Sequence, residues 1–222
     1  MAAAQMMDEI TIQVVGSDEK PTTYTIRQYA NKILNGAYNE AIKQLVKDML
    51  NYGAMAQVYF DYNATNLANA GIIGFGEADV TKATYETTIA EGAVEGIRYY
   101  GASLVYGNKV AVRLYFQVLS GSIDDYTFST VLPNAEAGIE ANVLTPVAKG
   151  EYYYIEFADI APDNWSESVN LYVIKGEQNL HVQYSPLSYM VRMYSKATSG
   201  EALKNLLKAM YNYYLAAKAY TA

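Results

Sequence analysis

The chain has 222 residues and a formal net charge of −7, which allows one large domain or two small ones with a sizeable core. Its acidic balance repels phosphate backbones, so no nucleic-acid partner is expected. Cysteine is absent, which excludes disulfides, thiolate zinc sites and a cysteine nucleophile. No apolar run approaches the roughly 20 residues that cross a bilayer, so no membrane insertion is expected. The stretch Met1–Met7 lacks the basic start of a secretory signal, leaving a cytosolic chain or a piece of a longer exported one. Tyrosine is unusually abundant, 23 residues against five phenylalanines and one tryptophan. A tyrosine ring is apolar with a polar tip and two torsions, which suits both a core edge and a contact surface.

In chain order, Ile10–Val15 alternates apolar and polar residues, as a strand does. A short helix follows and stops at Gly36. A longer one runs over Glu40–Tyr59, announced by Asn39, with Ile42, Leu45, Val46, Met49, Gly53 and Ala56 forming an apolar stripe. Lys43, Lys47 and Asn51 fall on the opposite, wet face, as Lys204, Lys208 and Asn212 do in the last segment. Gly53-Ala54 would let another backbone approach closely. After the helix, Asp61-Tyr-Asn63-Ala-Thr65 faintly resembles a calcium loop, but Ile72 stands where the bidentate Glu belongs, so no EF-hand forms. Gly71–Gly76 matches no phosphate-binding spacing and reads as a flexible joint.

From Gly71 to Ser168 the period changes to two. Ala102–Tyr106 and Val110–Val118 read as a hairpin joined at Gly107-Asn108. Tyr126–Val131, Val143–Val147 and the alternating Tyr152–Phe157 read as further strands, the last preceded by a Lys149-Gly150 turn. Pro133, Pro146 and Pro162 punctuate loops or edges. If one face of this sheet is open, it presents Arg113, Tyr115, Gln117, Tyr152, Tyr154 and Glu156. That mixture of rings and polar tips suits recognition of a protein surface. Asp124 and Asp125 are adjacent and do not form a glycosidase pair. Trp165 reads as a loop plug against the core, with sugar stacking as the alternative. The single histidine, His181, reads as a satisfied strand residue. No catalytic residue, metal ligand or cofactor is expected.

The last segment repeats the first. Glu40–Tyr59 and Glu201–Tyr220, 161 positions apart, are identical at ten of twenty positions without a gap. The match continues backwards through Tyr24 with Tyr184 and Tyr29 with Tyr189, to alternating segments at Ile10–Val15 and Val169–Ile174. Each copy reads as hairpin, short helix, long helix. Thr198–Glu201 reads as a capping box for the second long helix. The chain is therefore expected to be α+β, with an antiparallel β-sandwich or barrel-like centre flanked by two duplicated hairpin-plus-two-helix units. The expected boundaries are 1–70, 71–168 and 169–222.

The string Lys149-Gly-Glu-Tyr-Tyr-Tyr-Ile-Glu-Phe-Ala-Asp-Ile-Ala-Pro162, with Tyr184–Tyr189 and Leu203–Tyr213, resembles repeated units of large surface proteins of gut Clostridia. Leu45–Phe60 with Asn66–Asn69 is similar to the segment that precedes those units. The resemblance implies an extracellular, wall-associated location within a longer protein. It extends to superantigen-like immunoglobulin-binding proteins of Lachnospiraceae, which implies host immunoglobulin variable domains as partner. The expected function is a non-catalytic binding or adhesion module. A carbohydrate-binding module with a glycan ligand, or a structural spacer of a stalk, are the alternatives.

Overall fold

The computed structural model describes residues 2–16, 20–107, 109–132 and 142–222. The chain is α+β, with antiparallel sheets and, among the described residues, four α-helices. The strands are β1 (Ile10–Ile12), β2 (Thr22–Tyr24), β3 (Ile89–Gly92), β4 (Ile97–Tyr106), β5 (Val110–Val118), β6 (Thr127–Ser129), β7 (Val143–Leu144), β8 (Val147–Lys149), β9 (Tyr152–Ile160), β10 (Val169–Lys175) and β11 (Gln178–Tyr184). The helices are α1 (Ile26–Asn35), α2 (Glu40–Tyr59), α3 (Pro186–Ser195) and α4 (Glu201–Thr221).

β1 and β2 form an isolated hairpin. The other strands form a five-stranded sheet, β3-β11-β10-β6-β7, and a four-stranded sheet, β4-β5-β9-β8. Among the described residues neither closes into a barrel. The inward residues of both sheets, including Leu114, Phe116, Ile155, Phe128, Leu171, Val173 and Val182, share one core with Tyr52, Leu187, Met190, Leu206 and Met210 of the helices. Phe116 meets Phe128 edge-on, ring centres 5.4 Å apart, joining the two sheets. Strands β10 and β11 lie beyond residue 168, yet they form the middle of the five-stranded sheet, so hydrogen bonding and core both run across that boundary.

Several local expectations change. Val143–Val147 is two strands in two sheets: β7 pairs with β6 and β8 with β9. Pro146 sits between them, where the absent N–H would break a continuous ladder. Thr198 caps nothing; Gly200 occupies the cap position of α4, without a side-chain bond. The caps that do form on the other three helices are Thr25, Asn39 and Ser185, whose side chains accept from the backbone N–H of Gln28, Ile42 and Ser188 before α1, α2 and α3. Gly36 does end α1: its backbone turns extended there, and a Cβ at this position would lie 2.8 Å from the Lys32 carbonyl oxygen. Residues 71–76 are a fastened strap rather than a loose joint. The Gln44 side chain donates to the Gly74 carbonyl, the Gly76 N–H donates to the Asp48 carboxylate at 2.7 Å, and the Ala78 N–H donates to the Asn212 side chain at 2.8 Å. Asn212 is therefore buried, although the helical period assigns it to the wet face. Asn108 and Pro133 lie outside the described residues.

The two copies run through the same elements, and their equivalence starts before the first strand. A single 3₁₀ turn at Ala3–Gln5 packs on α2 as the turn Pro162–Asn164 packs on α4. The next residues correspond too: the Arg27 N–H donates to the Met6 carbonyl and the Leu187 N–H to the Trp165 carbonyl. Gly53 admits this turn, since a Cβ there would lie 2.5 Å from the Met6 sulfur. Helices α1 and α3 are both ten residues long. Where the copies meet, Tyr52 stacks on its own counterpart Tyr213, ring centres 5.8 Å apart. A residue touching its equivalent is the mark of a two-fold relation.

Candidate functional site

The pleat of β5 and β9 decides which side chains share a face. Val112, Leu114, Phe116 and Ile155 point into the core. Arg113, Tyr115, Gln117, Tyr152, Tyr154 and Glu156 point the other way, and none of the six is buried. Register brings Arg113 opposite Glu156 and Tyr115 opposite Tyr154. The Arg113 Nε donates to Glu156 Oε2 at 2.6 Å, and its guanidinium lies 4.5 Å from the centre of the Tyr154 ring. Tyr115 and Tyr154 are 5.7 Å apart, and Lys149 of β8 lies over Tyr115. All six residues singled out in the sequence are thus gathered on one surface.

The neighbouring edge strand adds residues that period-two reading misses. β4 carries a bulge between Tyr99 and Gly101, so alternation fails there. Tyr99 turns in against Phe116, while Arg98 and Tyr100 both remain exposed. Arg98 donates two hydrogen bonds to Gln117 Oε1, at 3.0 and 2.6 Å. Tyr100 packs on Tyr152 with ring centres 4.4 Å apart. Arg192, from α3, donates to the Ala102 carbonyl. Together Tyr100, Gly101, Ser103, Tyr115, Lys149, Tyr152 and Arg192 line a shallow groove of about 440 Å³.

Electrostatics differ along the face. Partial burial works most strongly against the Arg113 charge, but its bonds to Glu156 and Tyr115, with the charges of Glu156 and Tyr154, together outweigh that and raise the pKa. Partial burial also works against ionising Tyr115. Its bonds to Ser103 and Arg113, and the nearby Lys149 charge, more than offset this and lower its pKa. Tyr152 shifts upward, first through its bond with Tyr100, then through desolvation and Glu151. The Tyr115 end is therefore cation-rich and the Tyr152 end proton-retaining. These side chains can bind a partner by stacking, hydrogen bonding and charge.

The other sequence candidates occupy structural places. Trp165 is buried, donates its ring N–H to the Ile160 carbonyl, and meets Tyr52 and Tyr213 edge-on. It plugs the core and presents no platform to a sugar. His181 stacks on Tyr172 and its Nε2 bonds Asn170 at 2.9 Å. In the loop after α2, the carbonyls of Asn63 and Asn66 turn inward to the buried Gln57 amide. Among the described residues no group of His, Cys, Asp or Glu is placed to hold a metal ion. No helix among them is long and apolar enough to cross a membrane. No protein-family model, curated protein or solved structure matches the chain.

Proposed function

We propose that the chain is a non-catalytic binding module of a bacterial surface protein, acting outside the cell through the outer face of its four-stranded sheet. The ligand is a protein surface, and the immunoglobulin variable domain is the candidate to test first. The β centre is read as a sandwich, because Phe116 and Phe128 interlock between two sheets within one core. The observation that carries the reading is the face itself. Tyr100, Tyr115, Tyr152 and Tyr154 lie in two contacting pairs, bordered by Arg98, Arg113, Lys149 and Arg192, without a covering element among the described residues. Rigid rings and arginines dominate the energetics of protein interfaces because they desolvate much area at little entropic cost.

A second reading has its own support. The close pair Tyr100–Tyr152 beside Lys149 and Arg192 makes a groove wide enough for a sugar ring with an acidic substituent. Immobilised protein is therefore exposed to secretory and serum immunoglobulin and to a glycan array. The proposal expects immunoglobulin capture that weakens at least about tenfold in Tyr115→Ala and in Tyr152→Ala, as truncation of central anchors does. Glycan binding lost in the same variants, with no immunoglobulin capture, assigns the face to carbohydrate. Silence on both removes the binding reading and leaves a spacer.

A further inference from the structure

The two hairpins are equivalent strand for strand, yet only one is covered. In the second copy Val169 pairs with Tyr184, Asn170 with Gln183 and Leu171 with Val182; Ser185 then caps α3. In the first copy Ile10 pairs with Tyr24, Thr11 with Thr23 and Ile12 with Thr22; Thr25 then caps α1. The register is the same. So is the alternation of apolar residues: Ile10, Ile12 and Val14 stand where Val169, Leu171 and Val173 stand.

Their surroundings are opposite. Leu171 and Val173 are 0% exposed, whereas Ile12 and Val14 are 56% and 62% exposed. Tyr184 is 3% exposed and Tyr24 37%. The β10–β11 hairpin has β6 hydrogen-bonded along one edge and β3 along the other, and its apolar side faces the four-stranded sheet. Among the described residues the β1–β2 hairpin has neither flanking strands nor an opposing sheet. A short two-stranded ribbon with bare apolar residues and two open edges is marginal alone and is a template for further strands.

We infer that the β1–β2 hairpin is a docking site for a β domain of the kind that the described part of residues 71–161 builds here, which takes the hairpin into its sheet at the place that β10 and β11 fill in this one. The partner supplies one strand antiparallel to β2, as β3 lies on β11. It supplies another along β1, as β6 lies on β10, and an apolar sheet that covers Ile10, Ile12 and Val14. The chain contains the template for this contact in its own second half, which is what identifies the occupant. The site is distinct from the tyrosine face and does not depend on what that face binds.

The test is a spliced chain in which residues 71–161 precede Ala3 of the full protein, reproducing the native passage from Ala161 into the turn Pro162–Asn164. Amide hydrogen exchange of Ile10–Ile12 and Thr22–Tyr24 is compared with the unspliced protein. The expected result is at least tenfold slower exchange in these amides, with the added segment protected as well. A second variant, Ile12→Asp, leaves the unspliced protein's denaturation midpoint unchanged, because the side chain is exposed. In the spliced chain it abolishes protection of the added segment alone. Three results overturn the inference: an added segment that exchanges at unfolded rates, one that stays protected with Ile12→Asp, or a dimer of the unspliced chain that protects the hairpin. The last would assign the face to a second copy.

Discussion

The first and second copies of the hairpin–helix unit use the same backbone plan for different degrees of burial. Both start with a 3₁₀ turn on the long helix, cap the short helix with a hydroxyl side chain, and present an aromatic ring at their mutual contact. They part at the hairpin, where one is the centre of a five-stranded sheet and the other, among the described residues, has no further strand beside it. Local sequence therefore specifies the hairpin, its register and its turn into the helix, while burial is set by what the rest of the chain brings to it. Equivalence of sequence does not carry equivalence of stability.

Substituting matched positions turns this comparison into numbers. The largest contrast is expected between Leu171→Ala and Ile12→Ala. Leu171 is fully buried and should lose about 2–5 kcal/mol in a urea unfolding experiment. Ile12, mostly exposed, should lose less than about 0.5 kcal/mol. Equal losses would mean that the first hairpin is packed after all.

The next contrast lies at the ends of the long helices. Gln57 is buried and its side chain makes three hydrogen bonds, to the carbonyls of Asn63 and Asn66 and from the N–H of Ala68. Its counterpart Lys218 is exposed. Gln57→Ala strands those groups and should cost about 1–3 kcal/mol, with faster proteolysis near Asn63. Lys218→Ala should stay within about 0.5 kcal/mol.

The smallest effect is in alkaline solution. Burial pushes the hydroxyls of Tyr184 and Tyr52 up, and that of Tyr99 up to about 12. The unfolded chain sheds these protons near pH 10, before the native chain does, so their contribution to stability is complete below pH 10 and lost as pH rises from there. Denaturation midpoints should fall between about pH 10 and 12, and Tyr184→Phe should flatten that fall. A midpoint that rises with pH would contradict the burial that sets the second hairpin apart from the first.

Much of this was legible in the residues. The 161-residue offset reveals the long helices, and alternation reveals β5, β9 and the six residues of the tyrosine face. What escaped is what alternation and helical period do not encode. The bulge before Gly101 puts Tyr100 and Arg98 outside a period-two reading. Arg192 joins the groove from a helix about ninety positions away in sequence, through a contact that no local pattern contains. The Ala3–Gln5 and Pro162–Asn164 turns share backbone position and three equivalent backbone hydrogen bonds but no residue identity, so the fold relates them where the sequence does not. Asn212 reads as a solvent residue by period. It is buried because the strap at Ala78 needs a partner that both accepts and donates.

That strap ties the fates of the two copies together. Gln44 and Asp48 hold it from one long helix and Asn212 from the other. Fraying either helix therefore releases backbone that the other was holding. Repeat arrays whose units touch only through side chains can melt one unit at a time. Here the shared strap makes partial unfolding of one unit costly for both, so heating should give a single cooperative transition across both helical pairs.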